Sequence, residues 1–107
     1  MEGSQPDWRS HDNDPLPAVV AEVADFDRAI GIGFEYQQRH PDVLIVAVSD
    51  HETGGLALEV AGTGRTPRVV AAYTTIGHTG QMIPLFASEP GAERFAGIQR
   101  TGESGAT

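Results

Sequence analysis

The segment Val43-Leu44-Ile45-Val46-Ala47-Val48-Ser49, followed directly by Asp50-His51-Glu52-Thr53-Gly54-Gly55, decides the fold of this chain. Apart from its final serine, the first part is continuously apolar, which is typical of a strand buried on both faces of a sheet. Three ionisable side chains and two glycines follow where this strand ends. Because open α/β sheets place their sites at strand ends, Asp50 and His51 are candidate metal ligands. A polar turn that caps the strand is the alternative interpretation.

The residues on either side of this strand predict an α/β unit. Residues 18–39 predict a helix, since apolar side chains recur every three or four residues at Val19, Val23, Phe26, Ile30 and Phe34. His40-Pro41 should end the helix, because the residue before a proline is pushed out of the α region. Residues 56–60 and 69–75 predict two strands of a small antiparallel arm, joined by turn residues at 61–67. After Glu89-Pro90-Gly91, a short helix is expected.

Composition narrows the classes of protein that the chain can represent. Its 107 residues suffice for one domain, and no stretch has the roughly 20 apolar residues of a membrane span. Fifteen acids against seven arginines and no lysine give a net charge of −8. A nucleic-acid partner is therefore not expected, because phosphate backbones require a basic surface. The chain has no cysteine, so any metal site must use His, Asp and Glu.

Two further segments contain candidate ligands. Ser4 and Asp7 have capping-box spacing with Pro6 in the first turn, which predicts a short helix. Such a helix puts Asp7 and His11 on one face, where a carboxylate and an imidazole can reach the same ion; a helix-start acid and a surface histidine are the alternative. His78 lies between glycines in Gly77-His78-Thr79-Gly80, which predicts a loop histidine that contacts a ligand.

The candidate ligands share oxygen or nitrogen donors: Glu2, Asp7, His11, Asp50, His51 and His78. Such a set suits two zinc ions about 4 Å apart together with a harder magnesium ion. Two metals at that spacing stabilise the attacking and the leaving oxygen of a phosphoryl group.

The sequence resembles the alkaline phosphatases. The motifs that carry the resemblance, in chain order, are EGSQPDW (2–8) with HDND (11–14), HPD (40–42), DHETGG (50–55), TT (74–75) with GHTG (77–80), PLFA (84–87) and PGAE (90–93). The resemblance covers residues 1–98, as the C-terminal metal-ligand portion of a catalytic domain. Residues 99–107 are expected to be a flexible tail.

The resemblance implies a fold, an activity and residue roles. By this resemblance Asp7, His11 and His78 bind the zinc that activates the attacking water, Asp50 and His51 bind the zinc that holds the nucleophilic serine, and Glu2 binds magnesium. The implied fold is an α/β/α sandwich around a largely parallel sheet, with a small antiparallel excursion. The implied enzyme hydrolyses phosphate monoesters through a phosphoserine, is a homodimer, and is periplasmic or secreted.

Parts of the family pattern are missing from this chain. The family's nucleophilic serine, the aspartate that bridges zinc and magnesium, and its phosphate-binding arginine all precede the matched motifs, and Pro6 stands where the family has an aliphatic residue. We therefore expect a C-terminal piece of such an enzyme, inactive by itself. A related metallo-phosphodiesterase or phosphomutase, or a catalytically inactive metal-binding fragment, are the alternatives.

Overall fold

The computed structural model describes residues 1–62 and 65–100, which contain helices and three small antiparallel strand pairs. The elements are α1 (Gln5–His11), α2 (Leu16–Arg39), β1 (Val46–Val48), β2 (Glu52–Thr53), β3 (Ala57–Ala61), β4 (Arg68–Ala72), β5 (His78–Thr79), β6 (Leu85–Ala87) and a 3-10 helix at Ala92–Phe95. The pairs are β1 with β6, β2 with β5, and β3 with β4. The predicted α/β class is confirmed, whereas the described strands do not form the parallel pairs that were expected.

The chain forms two compact units. The first contains residues 1–27 and 51–82, and the second contains residues 28–50 and 83 onward. The first unit therefore contains α1, the start of α2, and the β2–β5 and β3–β4 pairs. The second contains the end of α2, the β1–β6 pair and the 3-10 helix.

The strand predicted to be buried on both faces is shorter and more exposed than its sequence indicates. β1 covers Val46–Val48 instead of residues 43–49, and its strand partner among the described residues is β6. Val46 and Val48 are 38% and 53% exposed. A strand is buried on both faces only where a layer covers each face, and the described residues leave these two side chains partly open to solvent. The prediction of a fully buried strand is therefore wrong for this chain.

α1 forms where Pro6 and Asp7 predict a helix start. Both residues lie in the first turn. The first backbone N–H groups of a helix have no partner within the helix, so the missing N–H of proline costs nothing there, and a carboxylate is stabilised by the positive end of the helix dipole. Ser4 precedes the helix but makes no side-chain capping hydrogen bond. Its backbone is itself helical (φ −81°, ψ −16°), whereas a capping residue needs an extended backbone, so the predicted cap does not form.

α2 begins two residues earlier than predicted and ends as predicted. Pro17 fits in its first turn, and the helix stops at Arg39, immediately before His40-Pro41. Its apolar stripe is only partly buried. Val19 is 6% exposed, whereas Val23 is 50% exposed and Phe34 is 45% exposed.

The predicted antiparallel arm is confirmed as the β3–β4 hairpin, in which Val60 pairs with Val69. Of its predicted turn, residues 63–64 lie outside the described residues, as do residues 101–107 of the predicted tail. The expected short helix after Gly91 is the 3-10 helix. Within the described residues, no helix is both long enough and apolar enough to cross a membrane.

Candidate metal centre

Asp7 and His11 lie one turn apart on α1, as their spacing predicts. Asp7 Oδ1 is 3.4 Å from His11 Nε2. Arg9, between them in the sequence, contacts the carboxylates of Glu22 at 3.1 Å and Asp14 at 3.3 Å. These contacts fix α1 to the segment that follows it and to the first half of α2.

A backbone carbonyl orients the His11 ring. His11 Nδ1 lies 2.5 Å from the carbonyl oxygen of Ile76. A carbonyl oxygen only accepts, so Nδ1 carries a proton and donates it, and in the neutral ring the lone pair is on Nε2. That lone pair is on the nitrogen nearest to Asp7 and is available to a cation.

His78 reaches the same point from a strand and not from a loop. It forms β5 with Thr79, and it pairs directly with Thr53 of β2. The loop prediction for His78 is therefore wrong, because the flanking glycines delimit a two-residue strand that finds a partner in residues 52–53. His78 Nε2 is 3.1 Å from His11 Nε2 and 3.7 Å from Asp7 Oδ1.

The three converging donor atoms fit a tetrahedral cation. Asp7 Oδ1, His11 Nε2 and His78 Nε2 are separated by 3.1, 3.4 and 3.7 Å. Around a tetrahedral ion with bonds of about 2.0–2.2 Å, neighbouring ligand atoms are about 3.4 Å apart. Two imidazoles and a carboxylate form a donor set that zinc accepts, with a fourth position left for water or substrate. The side chains are 33–47% exposed, so solvent reaches this cluster.

His51 lies beside this cluster. Its ring stacks on that of His78, with centroids 3.5 Å apart and an angle of 21° between the planes. Its Nδ1 is 3.2 Å from the hydroxyl oxygen of Thr53, which also contacts the Asp7 carboxylate. His51 is thus close to the predicted ligands of one zinc while the family resemblance assigns it to the other.

The two glycines after Thr53 let the backbone turn close to its neighbours. Gly54 has a φ of +86°, and a β-carbon there would lie 2.8 Å from the Tyr73 ring and 3.0 Å from the Ser10 carbonyl oxygen. Gly55 has a φ of +56°, and a β-carbon there would overlap the Thr74 side chain. A side chain at either position would be strained, so this sharp turn requires glycine at both.

Glu52 fastens this turn to β5. Its carboxylate accepts hydrogen bonds from the backbone amides of Gly55 at 3.1 Å and Leu56 at 3.0 Å, and from the Thr79 hydroxyl. Burial works to raise the pKa of the Glu52 carboxyl, but the hydrogen bonds from Thr79, Leu56 and Gly55 outweigh it and lower that pKa. Glu52 and Thr79 pair in the ladder, so this contact fixes the strand that carries His78.

The remaining predicted ligands are not part of the converging cluster. Among the described residues, the group of His and acidic side chains with ligand atoms within 4.8 Å of one another contains Asp7, His11 and His78, and it leaves out Glu2, Asp50 and His51. Glu2 is exposed before α1, and Asp50 is exposed in the second unit.

Sequence reasoning missed Glu52, Thr53 and Thr79. Each acts through hydrogen bonds to residues that are distant in the sequence, as Thr53 does with Asp7, 46 positions away. The signal that could have found Glu52 and Thr53 is the hexapeptide at 50–55, where these two polar residues lie between two candidate ligands and two glycines.

Comparison with known proteins places these features in a family context. The family model described as alkaline phosphatase matches residues 1–71. Alkaline phosphatase 4 of Bacillus subtilis (strain 168) is 40% identical over 58% of this chain, and streptomycin-6-phosphate phosphatase of Streptomyces griseus is 28% identical over 92% of it. The chain spans 13% and 25% of the length of these relatives.

The solved structures that resemble this chain are also alkaline phosphatases. The alkaline phosphatase from the Antarctic bacterium TAB5 superposes over 96% of this chain with a TM-score of 0.84 and 36% identity. A mutant of that enzyme with Mg bound in its M3 site superposes with a TM-score of 0.85 and 35% identity. This chain spans 31% and 32% of these two structures.

Proposed function

The chain belongs to the alkaline phosphatase family, and from this premise we propose that it is the metal-ligand portion of an enzyme that hydrolyses phosphate monoesters. One observation carries the proposal beyond family membership. Three donor atoms, from two segments 67 residues apart, converge at the spacing of a tetrahedral ion's ligands.

In this proposal the first zinc is held by Asp7, His11 and His78. The convergence of their donor atoms supports the assignment, as does the protonated Nδ1 of His11, which leaves Nε2 to bind metal. The second zinc is assigned to Asp50 and His51, and the magnesium to Glu2, on the family resemblance. The bound cations supply positive charge at the attacking and leaving oxygens of the phosphoryl group.

The nucleophile of the proposed enzyme is a serine that forms a phosphoserine, and it is assigned to none of the serines of this chain. Ser10 is buried and donates to the Pro6 carbonyl at 2.9 Å. Ser88 accepts hydrogen bonds from the Gln37 side chain at 2.6 Å and from the Ile45 backbone amide at 3.0 Å. Both hydroxyls are already committed to local structure.

The proposed fold of the whole enzyme is an α/β/α sandwich around a largely parallel sheet. Two observations support it: the exposed apolar side chains of β1, and the likeness to structures of which this chain spans about a third. Residues 1–98 are proposed as part of that domain. We further propose a homodimer that is periplasmic or secreted.

A zinc titration of the chain tests the metal assignment. Replacing His11 or His78 with alanine should weaken zinc binding about 100-fold or more, since even the loss of a residue that only hydrogen-bonds to a metal ligand weakens binding about 10- to 100-fold. His40→Ala is the matched control, because His40 stacks on Tyr36 in the other unit. Equal zinc affinity in His11→Ala, His78→Ala and His40→Ala would contradict the assignment of His11 and His78 as zinc ligands. In the whole enzyme, a preference for phosphate diesters over monoesters would contradict the proposed activity.

A further inference from the structure

One buried hydroxyl joins two of the proposed ligands. Thr53 is 8% exposed, and its oxygen contacts Asp7 Oδ1 and lies 3.2 Å from His51 Nδ1. Asp7 belongs to the proposed first zinc and His51 to the second. The β2–β5 ladder sets Thr53 opposite His78, so its hydroxyl is on the same face of the pair as that ring.

The protons of this contact can be assigned by counting donors. An ionised carboxylate only accepts, so the hydrogen bond between Asp7 and Thr53 must use the hydroxyl proton of Thr53. Thr53 then has no proton left for His51, and its oxygen can only accept there. The second hydrogen bond therefore needs a proton on His51 Nδ1, which leaves the lone pair of the neutral ring on Nε2.

We infer that Thr53 is a positioning residue that orients the Asp7 carboxylate and sets the tautomer of His51 through the same hydroxyl. The inference rests on the proposed function, because it concerns ligands of the proposed zinc ions. His11 has the same proton arrangement, with Nδ1 donating to the Ile76 carbonyl. The Thr53 hydroxyl accepts from His51 Nδ1 as the Ile76 carbonyl accepts from His11 Nδ1. The same hydroxyl also donates to Asp7, a proposed ligand of the first zinc.

Thr53→Val and Thr53→Ser separate this role from simple packing. Valine keeps the shape and the β-branch of threonine without the hydroxyl, whereas serine keeps the hydroxyl. Long-range 15N–1H correlation spectra of the metal-free chain report the tautomer of each histidine, and a zinc titration reports affinity. Thr66→Val, at an exposed position before β4, is the matched control.

The inference predicts that His51 is protonated on Nδ1 in the unaltered, metal-free chain. In Thr53→Val this preference should be lost and zinc affinity should fall about 10- to 100-fold, the usual effect of removing a partner of a metal ligand. Thr53→Ser and Thr66→Val should retain both properties.

Three results would overturn the inference or its premise, and they are distinguishable. His51 protonated on Nε2 in the unaltered chain overturns the inference without any variant, including where Thr53→Val fails to fold. Unchanged tautomer and zinc affinity in a folded Thr53→Val also overturn it. Failure of the unaltered chain to bind zinc contradicts the proposed function instead, since the tautomer is measured without metal.

Discussion

Replacing Gly54 with alanine tests how the β2 turn positions the metal cluster. Gly54 has a φ of +86°, where an alanine backbone costs about 1–2 kcal/mol. Its new β-carbon would lie 2.8 Å from the Tyr73 ring and 3.0 Å from the Ser10 carbonyl oxygen. Relieving such contacts in a packed site typically costs another 1–3 kcal/mol. We therefore expect the free energy of unfolding to fall by about 2–5 kcal/mol.

The effect should reach the metal cluster as well. The Gly54 amide donates to the Gly77 carbonyl at 2.8 Å, and the Gly54 carbonyl accepts from the Thr74 amide at 3.0 Å. Gly77 precedes His78, so a shifted turn moves the strand that carries this proposed ligand. Zinc affinity should fall together with stability.

Urea denaturation followed by far-UV circular dichroism measures the change in stability. With a slope of about 2 kcal/mol per molar urea, the midpoint should fall by roughly 1–2.5 M. Gly80→Ala is the control in the same unit, because nothing lies within 4 Å of its β-carbon position, and it should change the free energy by less than about 0.5 kcal/mol. A Gly54→Ala midpoint equal to that of Gly80→Ala would refute the argument.

Three further predictions concern stability, pH and turnover. Burial and then the nearby Asp14 charge raise the pKa of Tyr73. The stabilising contribution of the neutral phenol is therefore complete below the unfolded pKa of 10.0 and is lost as pH rises through the folded pKa. Urea midpoints should fall more steeply above about pH 10 in the unaltered chain than in Tyr73→Phe, and parallel slopes would contradict this. Glu52→Gln puts a donating NH2 group where one carboxylate oxygen now accepts a hydrogen bond, so it should lower the free energy of unfolding by about 1–3 kcal/mol. The control Glu59→Gln, at an exposed site on β3, should leave that free energy unchanged in the same urea assay. The chain alone, loaded with zinc and magnesium, should not hydrolyse 4-nitrophenyl phosphate, because none of its serines is assigned as the nucleophile; turnover at the rate of a complete phosphatase would contradict that assignment.

Local sequence signals predicted the elements that depend on neighbouring residues. The Asp7 and His11 spacing identified a shared helix face, and His40-Pro41 marked the end of α2, because both signals act within one or two turns. The β3–β4 hairpin was equally accessible, since its two strands are close in the chain.

The features that sequence did not predict depend on distant partners. His78 forms a strand only because residues 52–53, about 25 positions earlier, pair with it. The apolar sequence of β1 indicates side chains suited to burial, but it does not specify which layers cover them, and Val48 is half exposed in this chain. Thr53 contacts Asp7, 46 positions earlier in the chain, and no local sequence pattern predicts that contact.

X-ray absorption spectroscopy of the zinc-loaded chain tests the central claim most directly. If Asp7, His11 and His78 bind the ion, the spectrum should show a four-coordinate shell at about 2.0–2.2 Å that includes two imidazole ligands, and His78→Ala should remove one of them. A shell of oxygen atoms without imidazole, or a spectrum unchanged by His78→Ala, would contradict the account.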